Sequence, residues 1–292
     1  MGSGRSAKKT GLTVKTNCPV VFWAWRKRPS FVMRGIQVAE ELARHGFQTV
    51  VRFGPSRVAL RGVHDSIIIC VKSTPRFTAW LRRRRNRIVY DAIDFTTARS
   101  IPAHVDAVIA GTNYLRSRLQ TFLDPNVTVK TIYHHADPHL KPHKAGDQAL
   151  RLAYIGDEKG SMFIKGEIPE LDVISFLNHR DWREEIRNYN AHFSARMDPN
   201  KSVIKLANVA TLGAVFLTGA EPGCDELLGK EYPFYLRNPE NLDTVLEDVK
   251  RLKEAVGSPL WKDARDRIDQ TRPNLTIDAT ARAYEELLAQ LP

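Results

Sequence analysis

Arg196, Lys201 and Lys205 stand in close succession just after the apolar run that ends at Ser194. The run reads as a strand and the stretch from Lys201 to Leu212 as a helix, so the three cations surround a helix N-terminus. Such an arrangement suits a diphosphate, because orphan backbone N–H groups and the helix dipole add to the side-chain charge. The plainer alternative is a lysine-rich exposed helix face. Gly156-Asp157-Glu158-Lys159-Gly160-Ser161 follows another strand, and its two glycines would let backbone approach a phosphate closely. The loop has neither the Gly-Lys-Ser/Thr ending of a P-loop nor the GxGxxG spacing of a dinucleotide site.

Two further groups are candidates. His134-His135-Ala136-Asp137 follows a strand, and a histidine beside an aspartate suits acid/base work or orientation of a substrate; a hydrogen-bonding loop is the alternative. Asp91 and Asp94 flank a strand end and could supply a carboxylate to the same place, or cap the following turn. Arg26, Lys27, Arg28 and Ser30 follow the first strand, ahead of a helix, and form a candidate anion loop. Metal binding is not expected, because the adjacent histidines lack an evident third ligand and no Cys/His spacing suits zinc.

The elements that must position these groups are legible from composition and periodicity. At 292 residues, 42% hydrophobic and 26% charged, the chain is globular material for about two domains. The longest apolar runs are strand-sized, far below the ~20 residues of a membrane span. Residues 1–17 are basic and polar without an apolar core, which reads as a disordered tail or a cloning remnant rather than a secretory signal. Three scattered cysteines, Cys18, Cys70 and Cys224, imply free thiols in a reducing compartment and a cytoplasmic location. Residues 1–145 carry 25 Lys and Arg against 8 Asp and Glu, whereas the remainder carries 19 against 25. The first half therefore faces something anionic: nucleic acid, a phospholipid surface or a phosphorylated substrate.

Along the chain, short continuous apolar runs alternate with helix-period segments. Strands are expected at 19–25, 48–53, 66–71, 87–90, 106–110 and 127–133, then at 152–155, 172–177, 192–194 and 214–218. Helices are expected between them, including 33–45, which Gly46 stops, and three long ones over 242–255, 260–268 and 277–291. Continuous rather than alternating apolar runs imply parallel sheets covered on both faces. The polar, proline-containing stretch 136–150 reads as a linker. The expectation is an α/β chain of two Rossmann-like doubly wound domains, 18–145 and 146–275, with a C-terminal helix at 276–292 packing back on the first domain.

The order of these motifs resembles a GT-B glycosyltransferase, most like glycosyltransferase family 4. The segment Gly35-Ile36-Gln37-Val38-Ala39-Glu40-Glu41-Leu42-Ala43-Arg44-His45-Gly46-Phe47 is similar to that family's first helix. Ala107–Leu115 resembles its strand–Ser–helix element, and Ile132–Asp137 the turn before its linker. Lys205–Leu217 looks like its donor-site helix and the next strand, Glu226-Leu227 like its Glu-Leu pair, and Trp261 with Tyr284–Leu287 like its C-terminal tail.

The resemblance implies a two-domain GT-B fold in which the second domain binds a nucleotide sugar and the first receives the acceptor. Gly156 and Ser161 would then lie near the diphosphate, Arg196 with Lys201 or Lys205 would neutralise it, and Asn208 would hydrogen-bond a ribose. His134, His135, Asp94 and Asp137 are the catalytic candidates in the cleft. The acceptor would be a glycan, a lipid-linked sugar or another cell-surface polysaccharide, with no cofactor or metal. Arg82, Arg83, Arg84 and Arg85 would dock on anionic lipid at the inner membrane face.

Two departures stand out. The family's paired glutamates are missing, one position falling on Asn208 and the other within Arg196–Lys201, and the second domain is short. A non-catalytic GT-B-like partner that binds a nucleotide sugar or glycan is the alternative. Nucleic-acid binding is less favoured, since no recognised motif accompanies the basic residues.

Overall fold

The computed structural model describes residues 18–93, 101–156, 163, 166–175 and 181–291. Asp94 and Ser161 lie outside the described residues. Among the described residues, six parallel strands form one sheet: β1 (Val20–Ala24), β2 (Thr49–Phe53), β3 (Ile67–Val71), β4 (Arg87–Asp91), β5 (Ala107–Ala110) and β6 (Thr128–Thr131), in the order β2-β1-β3-β4-β5-β6. Four more parallel strands form a second sheet: β7 (Leu152–Ile155), β8 (Leu171–Ile174), β9 (Ala191–Ser194) and β10 (Val215–Thr218), in the order β10-β9-β7-β8.

Sequence dictates which strands are central. The all-apolar β1 and β3 are buried at every position, as strands covered on both faces must be. β2 and β6, which carry Arg52 and Lys130, take the sheet edges and stay partly exposed. Alternation then divides the core of the first sheet. Val20, Phe22 and Ala24 point to the helix Val38–Arg44 and to the last helix, Ile277–Gln290. Val21 and Trp23 point to Leu60, Leu81, Leu115 and Leu119 on the opposite face. A separate apolar core runs from Ala136 to Leu275 around the second sheet.

The first helical region begins earlier than periodicity predicts, at Pro29 rather than Met33. It runs through a short α-helix (Pro29–Phe31), a π-helical stretch (Val32–Gln37) and an α-helix (Val38–Arg44). Proline presets the first helical turn, which explains the earlier start. Gly46 follows the helix end with φ +91°, a left-handed conformation that favours glycine.

The last helix belongs physically to the first sheet. It contributes Ala281, Tyr284, Leu287 and Leu288 to that core. The Tyr284 hydroxyl donates to Asp91 Oδ2 at 2.6 Å, and Arg34 Nε donates to the same oxygen at 2.9 Å. Arg34 Nη1 reaches the Tyr133 carbonyl at 3.0 Å. All three side chains of this Arg34–Asp91–Tyr284 cluster are buried. At the surface, His45 pairs with Glu285 through Nδ1, while Nε2 lies 3.3 Å from Asp278 and 3.5 Å from Glu41. Asp91, a candidate carboxylate for the cleft, is thus an internal anchor for the last helix.

Candidate active site

The carboxyl ends of β1, β4 and β6 face those of β7 and β9 across a cleft of about 640 Å³. Lys27, Arg28, Ser30, Met33, Gln37, Ile93, His134 and Asp137 line it from the first domain. Tyr154, Gly156, Trp182, Arg183, His192, Arg196, Lys201, Ser202, Lys205 and Asn208 line it from the second. The π-helical stretch matters here, because its wide turn carries Val32, Met33 and Gln37 to the cleft wall while Arg34 turns inward.

Of the anion loop, Lys27, Arg28 and Ser30 line the cleft, whereas Arg26 is exposed and not among the lining residues. His134 lies in the wall and is nearly buried. Its Nδ1 donates to the His135 carbonyl at 3.0 Å, which fixes the ring proton on Nδ1. His135 is fully buried behind it, with Nε2 3.0 Å from Gln37 Oε1. Burial and the neighbouring His134 and Arg34 push its pKa well below the ordinary histidine value, so its role is to position the loop as a neutral ring. Asp137 is held by Arg183 through Nε at 3.1 Å and Nη2 at 2.7 Å, and its Oδ1 accepts the His139 amide at 2.9 Å. With both oxygens engaged, Asp137 organises the turn.

The cations separate by environment. Lys205 points back along β9, with Nζ 3.3 Å from Ser194 Oγ and 3.9 Å from the centroid of the Tyr154 ring. Desolvation, reinforced by Arg196, lowers its pKa to about 7, against the opposing pull of Glu221. Glu221 closes the loop after β10 at the start of the helix Pro222–Leu228, and its Oε1 is buried without a hydrogen-bond partner among the described residues. Desolvation raises its pKa to about 7, even with Arg196 and Lys205 nearby. Lys201 sits at the rim, 3.6 Å from Asp198. Asn208 Oδ1 accepts the Asp137 amide at 3.2 Å across the domain junction.

Sequence reasoning missed Tyr154, Trp182, Arg183, His192 and Glu221. Tyr154 and His192 sit inside strand runs whose pattern signals core, and Trp182 and Arg183 in a charged helical stretch that reads as solvent-facing. His192 is buried on β9 with neither ring nitrogen hydrogen-bonded among the described residues, and burial drives its pKa down to about 3. Glu221-Pro222 at a strand end before a helix was the available signal for Glu221.

The domains touch directly beside the cleft. Both Glu226 carboxylate oxygens accept the Asn113 amide, at 3.1 and 3.0 Å, at the N-terminus of the helix Asn113–Gln120. A carboxylate is favoured there by the helix dipole. A Cβ on Gly223 would stand 2.7 Å from Val203 and 2.8 Å from Thr112, so only glycine permits this approach. Glu226→Ala should cost about 0.5–2 kcal/mol of stability. Hydrogen exchange should accelerate at Asn113 and not in β7–β9; unchanged exchange at Asn113 would show that water replaces the cap without loss.

Two parallel sheets with helices on both faces and a cleft between them define the GT-B architecture, and the chain has that fold. No family model matches the sequence, and no curated protein matches it either. Solved structures do. A glycosyltransferase from Rickettsia africae superposes with a TM-score of 0.64 over 94% of this chain and 99% of its own, at 12% identity. Sucrose-phosphate synthase from Thermosynechococcus elongatus gives a TM-score of 0.64, at 11% identity, over 94% and 99% of the two chains. Anabaena HepE, in complex with UDP and glucose, gives 0.62 at 10% identity over 93% and 99%.

Proposed function

We propose that this protein transfers a sugar from a nucleoside-diphosphate sugar bound in the cleft. The observation that carries this reading is the placement of Arg196 and Lys205, with Lys201 at the rim, beside the first turn of the helix Ile204–Leu212 in a GT-B cleft. Departure of the nucleoside diphosphate builds negative charge on its outer phosphate. Fixed cations there bind the transition state more tightly than the ground state. Glu221, protonated up to about pH 7, keeps a competing negative charge away from that phosphate until the medium is alkaline. In this reading His134, whose Nδ1 donates to the His135 carbonyl, accepts the proton of the acceptor hydroxyl. The UDP and UDP-glucose complexes of HepE support a uridine donor as the first to test. The acceptor in this reading is a glycan or lipid-linked sugar entering past Lys27, Arg28 and Ser30. The reaction proceeds without a bound metal, and the protein works in the cytoplasm, peripherally at the inner membrane face.

Asn208 favours a second reading, a nucleotide-sugar-binding partner without turnover. Where a carboxylate would be expected it supplies an amide, already committed to the Asp137 backbone.

A thermal-shift screen of UDP, GDP, ADP, CMP and their sugar conjugates tests both. One nucleotide sugar should raise the melting temperature, since a ligand at 100 times its Kd stabilises by ~2.7 kcal/mol. Hydrolysis of that donor by the isolated protein would select transfer, and binding without hydrolysis would select the partner role. No shift with any of them would overturn the placement of the diphosphate.

A further inference from the structure

Away from the cleft, on the opposite side of the first sheet from the last helix, a second cavity of about 450 Å³ opens between two short helices. It lies between Ser56–Ala59, which follows β2, and Thr78–Arg83, which follows β3. None of its lining residues is shared with the interdomain cleft. Four of them are arginines: Arg57, Arg61, Arg76 and Arg84.

The basic run beside this cavity is largely neutralised. Arg82 and Arg87 pair with Asp106, and Arg85 pairs with Asp65. By contrast, the four arginines of the cavity have no carboxylate partner among the described residues. Two of them lie over aromatic rings instead. The Arg57 guanidinium is 4.5 Å from the centroid of Phe77, and that of Arg84 is 4.3 Å from the centroid of Trp80. Stacking restrains each guanidinium plane and leaves its edge N–H groups available for an oxyanion.

The backbone is held unusually at the same place. Phe77 adopts φ +70° and ψ +39°, a left-handed conformation that is costly for a bulky side chain, and its ring is 49% exposed. Ser56 Oγ, donating to the Arg76 carbonyl at 3.4 Å, ties the two helices together beside it. The Phe77 carbonyl accepts the Trp80 and Leu81 amides at 3.0 and 3.2 Å, so the start of the helix holds the ring exposed beneath the Arg57 guanidinium.

We infer that this pocket is a second ligand site, for a phosphate-bearing group of two or more negative charges. Four guanidinium groups supply the charge and fork geometry that phosphate oxygens take, and Phe77 and Trp80 supply an apolar floor for whatever carries the phosphate. The inference stands independently of the transferase reading, since it uses no residue of the cleft.

Two sources of such a group are separable by experiment: a soluble diphosphate and a phospholipid headgroup. Inorganic pyrophosphate is titrated by calorimetry into an Arg196→Ala/Lys205→Ala protein, whose cleft is disabled. Binding should persist there, and adding Arg57→Ala/Arg84→Ala should weaken it by about tenfold or more, two charge-assisted contacts being lost. An Arg83→Ala/Arg85→Ala control removes the same charge outside the pocket and should leave affinity unchanged. Flotation with phosphatidylcholine vesicles, with and without phosphatidylglycerol, forms the second arm. Capture by anionic vesicles that depends on Arg57 and Arg84 would identify a headgroup, and pyrophosphate binding without such capture would identify a soluble ligand. Equal losses in the pocket variant and the control would reduce the effect to general charge and overturn the site. Absence of pocket-dependent binding in both arms would overturn it as well.

Discussion

Donor affinity should fall as the medium is taken from about pH 6 to about pH 8.5, by a factor on the order of ten to a hundred. The two groups responsible act in the same direction. Lys205, with its pKa lowered to about 7, is charged below that pH and loses its charge above it. Glu221, with its pKa raised to about 7, is neutral below that pH and becomes an anion above it. Raising the pH therefore removes a positive charge and adds a negative one at the place where a diphosphate is proposed to sit. Binding would draw both protons back, so uptake of about one proton at pH 7, rising toward about two at pH 8.5, is expected from calorimetry in buffers of different ionisation enthalpy. The nucleotide sugar selected by the thermal screen is the right probe, because its diphosphate is a diester and does not titrate in this range.

Variants separate the contributions. Lys205→Ala should weaken donor binding by about tenfold to a hundredfold, the worth of a charge-assisted contact. Glu221→Gln should tighten binding at pH 8 and flatten the profile. Stability supplies an independent readout. The folded-state pKa of Glu221 is raised from 4.5 to about 7, so stability is lost as pH climbs through that window. Glu221→Gln removes the loss, and its melting temperature should exceed wild type at pH 8 while matching it at pH 4. A flat affinity profile in the wild-type protein would place the diphosphate away from Lys205 and Glu221.

Breaking the buried anchor of the last helix should have the largest effect on stability. Asp91→Asn leaves the Arg34 guanidinium buried without its counter-charge, and one Arg34 nitrogen, Nη2, already lacks a partner among the described residues. Loss of one member of a buried pair costs about 3–5 kcal/mol. Tyr284→Phe removes one hydrogen bond to a charged acceptor and should cost about 1.5–3 kcal/mol. Because Tyr284 belongs to the last helix, both variants should accelerate hydrogen exchange over Ile277–Gln290 before the second sheet is affected. A double-mutant cycle should show coupling, since both side chains meet at Asp91 Oδ2. Additive losses would mean that the helix is held by its apolar face alone.

How much of this was legible beforehand differs between elements. The strands at Val20–Ala24 and Ile67–Val71 were plain as unbroken apolar runs, and central position in a parallel sheet follows from such runs. Periodicity starts the helix at Lys201, whereas it begins at Ile204, because Pro199 and Asn200 keep the chain in a turn before it. Arg196, Lys201 and Lys205 are visible in sequence as cations near a strand end, whereas the lowered pKa of Lys205 is not, because its burial depends on Tyr154, Ser194 and Glu221 arriving from three other segments. Asp91 and Asp137 looked alike in sequence as acidic residues after strands. Tertiary contacts turned one into a core anchor and the other into the seat of Arg183.

The order of elements, the parallel sheets, the basic first half and the family resemblance all rest on local period and composition and can be read along the chain. Which charges are paired follows only from the folded chain. Arg82 and Arg85 meet aspartates from distant loops, while Arg57, Arg61, Arg76 and Arg84 ring an open cavity. The physical reason is that Coulomb and desolvation energies depend on distances and burial set by chain segments far apart in sequence, which no local pattern encodes.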